Sequence, residues 1–525
     1  MFSQPYAGTL RFGPVQSTVG SNRFDCHWPS VATGNSLWFV AFAESECMRL
    51  NSVCICALFV ASGLFSSDLL QAAENAKSDR PNVLLMIVDD LGKTDIVVDG
   101  STFYETPHLD GLAKSGVRMT NFYSAHPVCS PTRAALMTGK VPQRLGITDW
   151  IHPGSGIVLP PSETTLGEAF QQQGYQTAYL GKWHLGEDDA SLPTKHGFEW
   201  IKGVNRGGSP GSYYFPFHQH VNKPSILDVP DFGSVDESSY LTDVLTTAAI
   251  EFLHQRDTRR PFFACLGHYS IHTPIQPPKD LPQKYRDKAE DFFSVSDTPT
   301  RPAPFGSTSR GRQDDPNYAA MIENLDQNIG RILTTLEELG QRQNTIVVFT
   351  SDNGGLCTMG TNRKVGPTCN LPWRAGKGWT YEGGIRIPTY ISWPSGLKPS
   401  TCDVPSYSAD LYPTLLELCG LPLQPTQHLD GRSLTGAFRG QADENLKKRS
   451  IGWYYPHDHG SGHKASAAIQ RESWKLIHYL ESQTSELYNL VNDPEESNNL
   501  SMTEPERMKT MLAELKRWID ETKAK

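Results

Sequence analysis

The stretch PNVLLMIVDD, residues 81–90, decides the fold. From Asn82 to Val88 it runs without the polar–apolar alternation of a half-exposed strand. An uninterrupted apolar run of this length suits a strand buried on both faces, as in a parallel sheet. Two adjacent acids, Asp89 and Asp90, close it. Comparable runs return at PFFACLGHYS (261–270) and TIVVFTSDNGG (345–355). Segments with helical periodicity lie between them: TPHLDGLAKSG (106–116), TTLGEAFQQQG (164–174), LTDVLTTAAIEFLHQR (241–256) and NYAAMIENLDQNIGRILTTLEELG (317–340). Strands alternating with amphipathic helices predict an α/β fold, a large and mostly parallel central sheet flanked by helices. Ligands of such sheets bind beyond the carboxyl ends of the strands, where VDD and TSDNGG both lie.

From about residue 441 the texture changes. SIGWYY (450–455), SAAIQRESWKLIHYL (466–480) and SELYNL (485–490) read as short strands joined by turns. ERMKTMLAELKRWIDET (506–522) reads as a closing helix. Residues 73–440 are therefore expected to form the main domain, and 441–525 a smaller antiparallel sheet with a helix. Residues 274–316, rich in Pro, Asp, Lys and Arg, are expected to be a long surface excursion.

Of 525 residues, 38% are hydrophobic and 20% charged, the balance of a soluble globular chain. The net charge of −9 offers no electrostatic reason to bind nucleic acid, so an anionic ligand would need a local basic pocket. The N-terminus carries an address. Met48 and Arg49 precede an apolar run from Val53 to Phe65, followed by small residues at Ala72 and Ala73. This is the layout of a signal peptide, too short to span a bilayer as a stable anchor. Residues 48–72 are thus expected to direct export, and 1–47 to be a non-native extension. Six cysteines then remain: Cys129, Cys265, Cys357, Cys369, Cys402 and Cys419. That is too few for a disulfide scaffold in a chain this long. Cys357 and Cys369 flank a glycine-rich loop and are a candidate pair, while Cys265 and Cys419 sit in apolar runs as core residues.

Asp89 and Asp90 end one buried strand, and Asp352 and Asn353 end another. Singly, each pair fits a strand-ending turn equally well. Brought to one sheet edge, they form an all-oxygen set that suits a hard cation, Ca²⁺ or Mg²⁺, and not zinc. Lys182 and His184 follow a strand-like run in YLGKWHLG (179–186), on one face if the chain stays extended. HYSIHTP (268–274) brings His268 and His272 to another strand end, and RAGKGWTYEGGIRIP (374–388) surrounds Lys377 and Arg386 with glycines. Cationic groups at three strand or loop ends would make a pocket for a tetrahedral oxyanion. In HPVCSPTRAALMTGK (126–140), Cys129 precedes a helix expected to start at Pro131 and stop at Gly139. The free N–H groups and dipole there favour an anion, although a buried structural cysteine fits that segment as well.

Six blocks in order, NVLLMIVDDLG, CSPTRAALMTG, GYQTAYLGKWHLG, PFFACLGHYSIHTP, TIVVFTSDNGG and GKGWTYEGGIRIP, resemble the type I, formylglycine-dependent sulfatases of the alkaline phosphatase superfamily. The resemblance is strongest to arylsulfatase A-like members and runs from about Pro81 to the C-terminus. It implies a sulfuric ester hydrolase in which a maturation enzyme oxidises Cys129 to formylglycine. A thiol attacking a sulfate ester would be left with a sulfur–sulfur adduct and no internal route to release. The hydrated aldehyde offers one hydroxyl as nucleophile and keeps a second, which expels sulfate. The same resemblance makes Asp89, Asp90, Asp352 and Asn353, with the residue 129 oxygen, the ligands of Ca²⁺ in preference to Mg²⁺. Arg133 would pair with those carboxylates and help hold the diol. Lys182 and Lys377 would grip the sulfate, Lys377 with His272 would protonate the leaving alcohol, and His184 would take the proton of the second hydroxyl. His268 is left as a structural residue. Two loops, 205–217 and the histidine-bearing 453–469, are expected to lean over the substrate, a sulfated carbohydrate or aryl sulfate. The alternatives are a phosphate or phosphonate ester hydrolase on the same fold, or a binding protein should Cys129 stay unconverted.

Overall fold

The computed structural model of the protein describes residues 80–220, 223–294, 298–441 and 443–523. The expected leader at 48–72 and the extension before it lie outside the described residues. Strand β1 (Asn82–Val88) is buried along its whole length. Its hydrophobic side chains divide between two layers, as a period of two requires. Val83, Leu85 and Ile87 pack with the helices Cys129–Thr138, Leu166–Gln171 and Leu411–Leu418. Leu84, Met86 and Val88 pack with Pro107–Ser115, Leu241–Gln255 and Pro316–Glu338 on the other face. That division explains why the run lacks alternation: neither face meets water.

Beside β1 lie β6 (Phe262–Gly267) and β9 (Thr345–Ser351), both parallel to it. β4 (Gln176–Gly181) extends the parallel set from β6, and β5 (Trp200–Lys202) ends it. On the far side β11 (Thr389–Ser392) runs antiparallel to β9 and to β2 (Val117–Met119), with β12 (Ser400–Cys402) at the edge. The eight-stranded order is β12-β2-β11-β9-β1-β6-β4-β5, the expected mostly parallel sheet. The register sets the chemistry. Val88 pairs with Ser351, so Asp89 and Asp352 leave neighbouring strands at the same edge. Gly181 pairs with Gly267, which brings Lys182 and His268 to that edge too.

A second sheet, β14 (Ser450–Tyr455), β15 (Ser466–Arg471), β16 (Trp474–Tyr479) and β17 (Ser485–Asn489), is an antiparallel meander. One face, with Ala467, Ile469, Leu476 and Leu487, is covered by Met511 and Leu515 of the Pro505–Thr522 helix. The other face packs Trp453, Ala468 and Ile477 on Trp379, Tyr381 and Ile385. Within that contact Lys475, fully buried, lies 3.0 Å from Glu382 and 2.9 Å from Glu496.

The described part of 274–316 runs over the surface, as expected, yet it carries regular structure: Pro282–Phe292 is a helix that buries Tyr285 against Phe103, and β8 (Thr308–Arg310) pairs with both β7 (Thr300–Pro302) and β10 (Thr358–Met359). So few apolar residues anchor this segment that its periodicity is faint in the sequence. Cys357 and Cys369 are separate thiols, the former donating to the Ala375 carbonyl at 3.0 Å. Among the described residues no helix is long and apolar enough to cross a membrane.

Candidate active site

β1 delivers two acids to one place because Asp90 adopts a left-handed backbone (φ 63°). Consecutive residues of a straight strand would point to opposite faces; the turn at Asp90 prevents that, and Asp tolerates this region better than most residues. Candidate ligand atoms of Asp89, Asp90 and His272 accordingly lie within 4.8 Å of one another. From β9, Asp352 accepts from the Asp90 backbone N–H at 3.3 Å, and Asn353 Nδ2 donates to Asp90 Oδ1 at 2.9 Å. Three acids and the Asn353 amide thus meet at one edge of the sheet.

Each carboxylate meets a cation. Lys182 Nζ stands 2.6 Å from Asp89 Oδ2, both groups being fully buried. Arg133 Nε donates to Asp352 Oδ2 at 2.8 Å, and its Nη1 to the Lys182 carbonyl at 2.8 Å. Lys377 Nζ lies 2.7 Å from Asp90 Oδ1. Burial would raise Asp90, but Lys377, with His272 and Lys182, holds its carboxyl far below the usual range. Asp89 goes the other way: burial, with repulsion from Asp352 and Asp90, pushes it up despite Lys182. Burial would lower Lys377, but Asp90, Cys129 and Asp89 together raise it, so it stays protonated.

Two buried oxygens in this cluster, Asp89 Oδ1 and Asn353 Oδ1, accept no hydrogen bond from the described residues. An unsatisfied buried acceptor costs about 1–3 kcal/mol, so such atoms need an explanation. A cation among them supplies one: it would meet both lone pairs and relieve the repulsion that raises Asp89. The donor set is oxygen-rich, which fits a hard dication.

Cys129 opens the Cys129–Thr138 helix, two residues earlier than expected, so Pro131 stands at the third helical position and not the first. Gly139 ends the helix in the left-handed conformation (φ 69°), as anticipated. Burial raises the Cys129 thiol, and the nearby Lys182 and Lys377 only partly offset that. The unmodified side chain is thus a neutral thiol, not a thiolate nucleophile. His184 Nε2 lies 3.1 Å from the Ile151 carbonyl, which can only accept, so Nε2 carries the proton. The Nδ1 lone pair then faces Cys129 Sγ at 3.2 Å. Burial and Lys182 keep this imidazole neutral. The chain is not extended at His184 (φ 58°), so the shared-face reasoning for Lys182 and His184 fails, although both reach the site. Gly208 lies flat against the ring: a Cβ there would sit 2.2 Å from His184 Cε1.

His272 bonds the Thr273 carbonyl through Nδ1 at 2.8 Å and presents Nε2 to Asp90 Oδ2 at 3.7 Å. Burial, then Lys377, lowers it to about 3, which leaves Lys377 as the protonated group on this side. His268 is fully buried away from the pocket lining, with neither ring nitrogen bonded to any described residue.

Asp90, Cys129, His184, His272 and Lys377 open onto one pocket of about 380 Å³. Gly207, Gly208 and Ser209 of the expected 205–217 loop line it. Of the three histidines in 453–469, only His459 does. His463 is buried, stacked on Tyr455, and His457 turns to Thr148, because the loop folds back through the His459–His463 backbone bond. Sequence reasoning missed Trp150, Leu227, Leu356, Met359 and Arg363 in the lining. A half-exposed tryptophan in the Gly/Pro-rich ITDWIHPGSG was the one available signal.

The geometry has counterparts. The Sulfatase family model matches residues 81–421, and a model described as N-sulphoglucosamine sulphohydrolase, C-terminal, matches 374–525. A sulfatase of Formosa agariphila is 28% identical over 87% of this chain and 92% of its own length. Arylsulfatase A of Bos taurus is 33% identical over 72% of this chain and 71% of its own. The crystal structure of Ps i-CgsB superimposes with a TM-score of 0.70 at 30% identity, covering 84% of this chain and 93% of that one. Its complex with k-i-k-neocarrahexaose matches with a TM-score of 0.69 at 29% identity.

Proposed function

The chain belongs to the sulfatase family and is a sulfuric ester hydrolase of the alkaline phosphatase fold, and from that premise we propose that Cys129, once oxidised to formylglycine, and a Ca²⁺ held by Asp89, Asp90, Asp352 and Asn353 carry the reaction. The observation that carries the reading is the pair of orphaned buried oxygens, Asp89 Oδ1 and Asn353 Oδ1, in the acidic cluster whose field acts on Cys129. A hard dication held there would neutralise sulfate charge and orient the reacting oxygen. The hydrated aldehyde at position 129 would supply both a nucleophile and a second hydroxyl for release.

The chain's own side chains do the rest. Lys182 and Lys377 share their charge between the carboxylates and the incoming sulfate. Lys377, with His272 beside it, gives a proton to the leaving alcohol. His184 accepts a proton at Nδ1, the nitrogen its Ile151 bond leaves free. Arg133 fixes Asp352 and the Lys182 backbone together, and so holds the acid and cation sets in register. Each proton transfer of this type is worth about 10²–10⁴ in rate.

For the substrate we favour a sulfated carbohydrate or an aryl sulfate. Ps i-CgsB was crystallised with k-i-k-neocarrahexaose, and the pocket here offers a half-exposed indole, Trp150, and apolar groups against which a sugar or aryl ring can lie. Residues 48–72 would direct export, with 73–440 as the catalytic domain and 441–525 as the subdomain packed on it. Mass spectrometry of the peptide containing Cys129 tests the first claim: an aldehyde in place of the thiol is expected. Release of sulfate from an aryl sulfate, lost on chelation and restored by Ca²⁺, tests the second. Faster turnover of an aryl phosphate would transfer the assignment to phosphoryl chemistry.

A further inference from the structure

Arg363 stands solvent-exposed at the pocket wall, facing no acid among the described residues. Its guanidinium borders Gly460, where a Cβ would sit 2.8 Å from Nη1, and its charge is felt by the neighbouring His459. Among the described residues it makes no ion pair, and the one acid lining the pocket, Asp90, is already held by Lys377. The other basic groups near the reaction centre, Arg133, Lys182 and Lys377, each face a carboxylate. So the pocket carries one cation more than the acidic cluster matches. Much of the rest of the pocket lining is uncharged, with Trp150, Ile151, Leu227, Leu356 and Met359.

We infer that the pocket reads a second anionic group, with Arg363 receiving a carboxylate or a further sulfate on the same sugar or its neighbour while the scissile sulfate lies at Cys129. This rests on the sulfatase reading and narrows its substrate class to polyanionic glycans. A guanidinium suits such an oxyanion because its fork of N–H donors can bond two oxygens at once, which a lysine cannot reproduce. Met359 and Arg363 extend the segment that follows Asp352–Asn353, so one loop links the cation cluster to this second contact.

The test uses three substrates: an aryl monosulfate without other charge, a sulfated oligosaccharide with a neighbouring carboxylate, and one with a second sulfate. Wild-type enzyme is expected to prefer one or both oligosaccharides. Arg363→Gln should cut that preference, as a ratio of kcat/KM, by about tenfold, the scale of one charge-assisted contact. The loss should fall on KM and leave kcat for the oligosaccharides nearly intact, with Arg363→Lys restoring part of it. Whichever oligosaccharide loses more identifies the group that is read. Calorimetric binding of the same oligosaccharides to Cys129→Ala protein, with and without Arg363→Gln, gives an answer independent of turnover. An unchanged preference and unchanged affinity would overturn the inference while the sulfatase chemistry stands. Oligosaccharides that bind through Arg363 but release no sulfate would instead defeat the mechanistic reading.

Discussion

Cys129 shows how burial redirects a side chain's chemistry. A helix start beside two lysines should favour a thiolate, yet desolvation wins and the thiol stays neutral. The proposed oxidation to an aldehyde would avoid that penalty, because an uncharged carbonyl or diol suits the same surroundings. Cys129→Ala is accordingly expected to lower sulfate release by on the order of 10³-fold or more, with thermal unfolding nearly unchanged. A near-normal rate in that variant would remove Cys129 from the mechanism. Arg133 behaves differently. It is buried and paired with Asp352, so Arg133→Met leaves a carboxylate without its counter-ion. Denaturant titration should show a loss of about 3–5 kcal/mol, the usual cost of halving a buried ion pair. Both residues were legible in CSPTR. Arg363 was not: a lone arginine in a polar loop looks like any solvated surface charge until its neighbours are known.

At the level of elements, four adjacent strands, β9, β1, β6 and β4, end at one edge and deliver Asp352, Asp89, the His268–His272 turn and Lys182. Their apolar runs disclosed the strands and the acids closing them. The register that aligns Val88 with Ser351 and Gly181 with Gly267 did not follow from any one segment. Loops were read less well. Lys182 and His184 do not share one face of an extended chain, because His184 is left-handed, and the 453–469 loop brings His459 alone of its three histidines to the pocket. Gly208 tests how closely the 205–217 loop supports His184, the base of the proposed mechanism. Gly208→Ala places a methyl 2.2 Å from His184 Cε1, so the ring must move. Since a displacement of about 1 Å can cost about 10²-fold, kcat should fall by that order while the unfolding midpoint changes little. An unaltered kcat would show that the ring tolerates the push.

Over the whole molecule, the small sheet is joined to the main one by a buried cluster in which two carboxylates share Lys475. Glu382 also has Arg386 at 2.9 Å and is held low against its burial, whereas burial raises Glu496 to about 7 from an ordinary value near 4.5. The folded state therefore keeps a proton on Glu496 that the unfolded chain releases between those two values. Its contribution makes stability fall as pH rises from about 4.5 to about 7, with no further change above. Unfolding of wild type and Glu496→Gln across that range should show a shallower decline in the variant; parallel curves would mean that Glu496 is ionised in the fold. The amino-acid sequence by itself determined the layer architecture, the acids that close the strands and the order of the segments that reach the pocket. Those are properties of contiguous stretches, where hydrophobic periodicity and local chemistry coincide. Only the tertiary structure decided which oxygens are left unsatisfied, which histidine nitrogen carries its proton, and which arginine has no acid to face. These depend on residues tens to hundreds of positions apart being brought together, and no local pattern encodes that pairing.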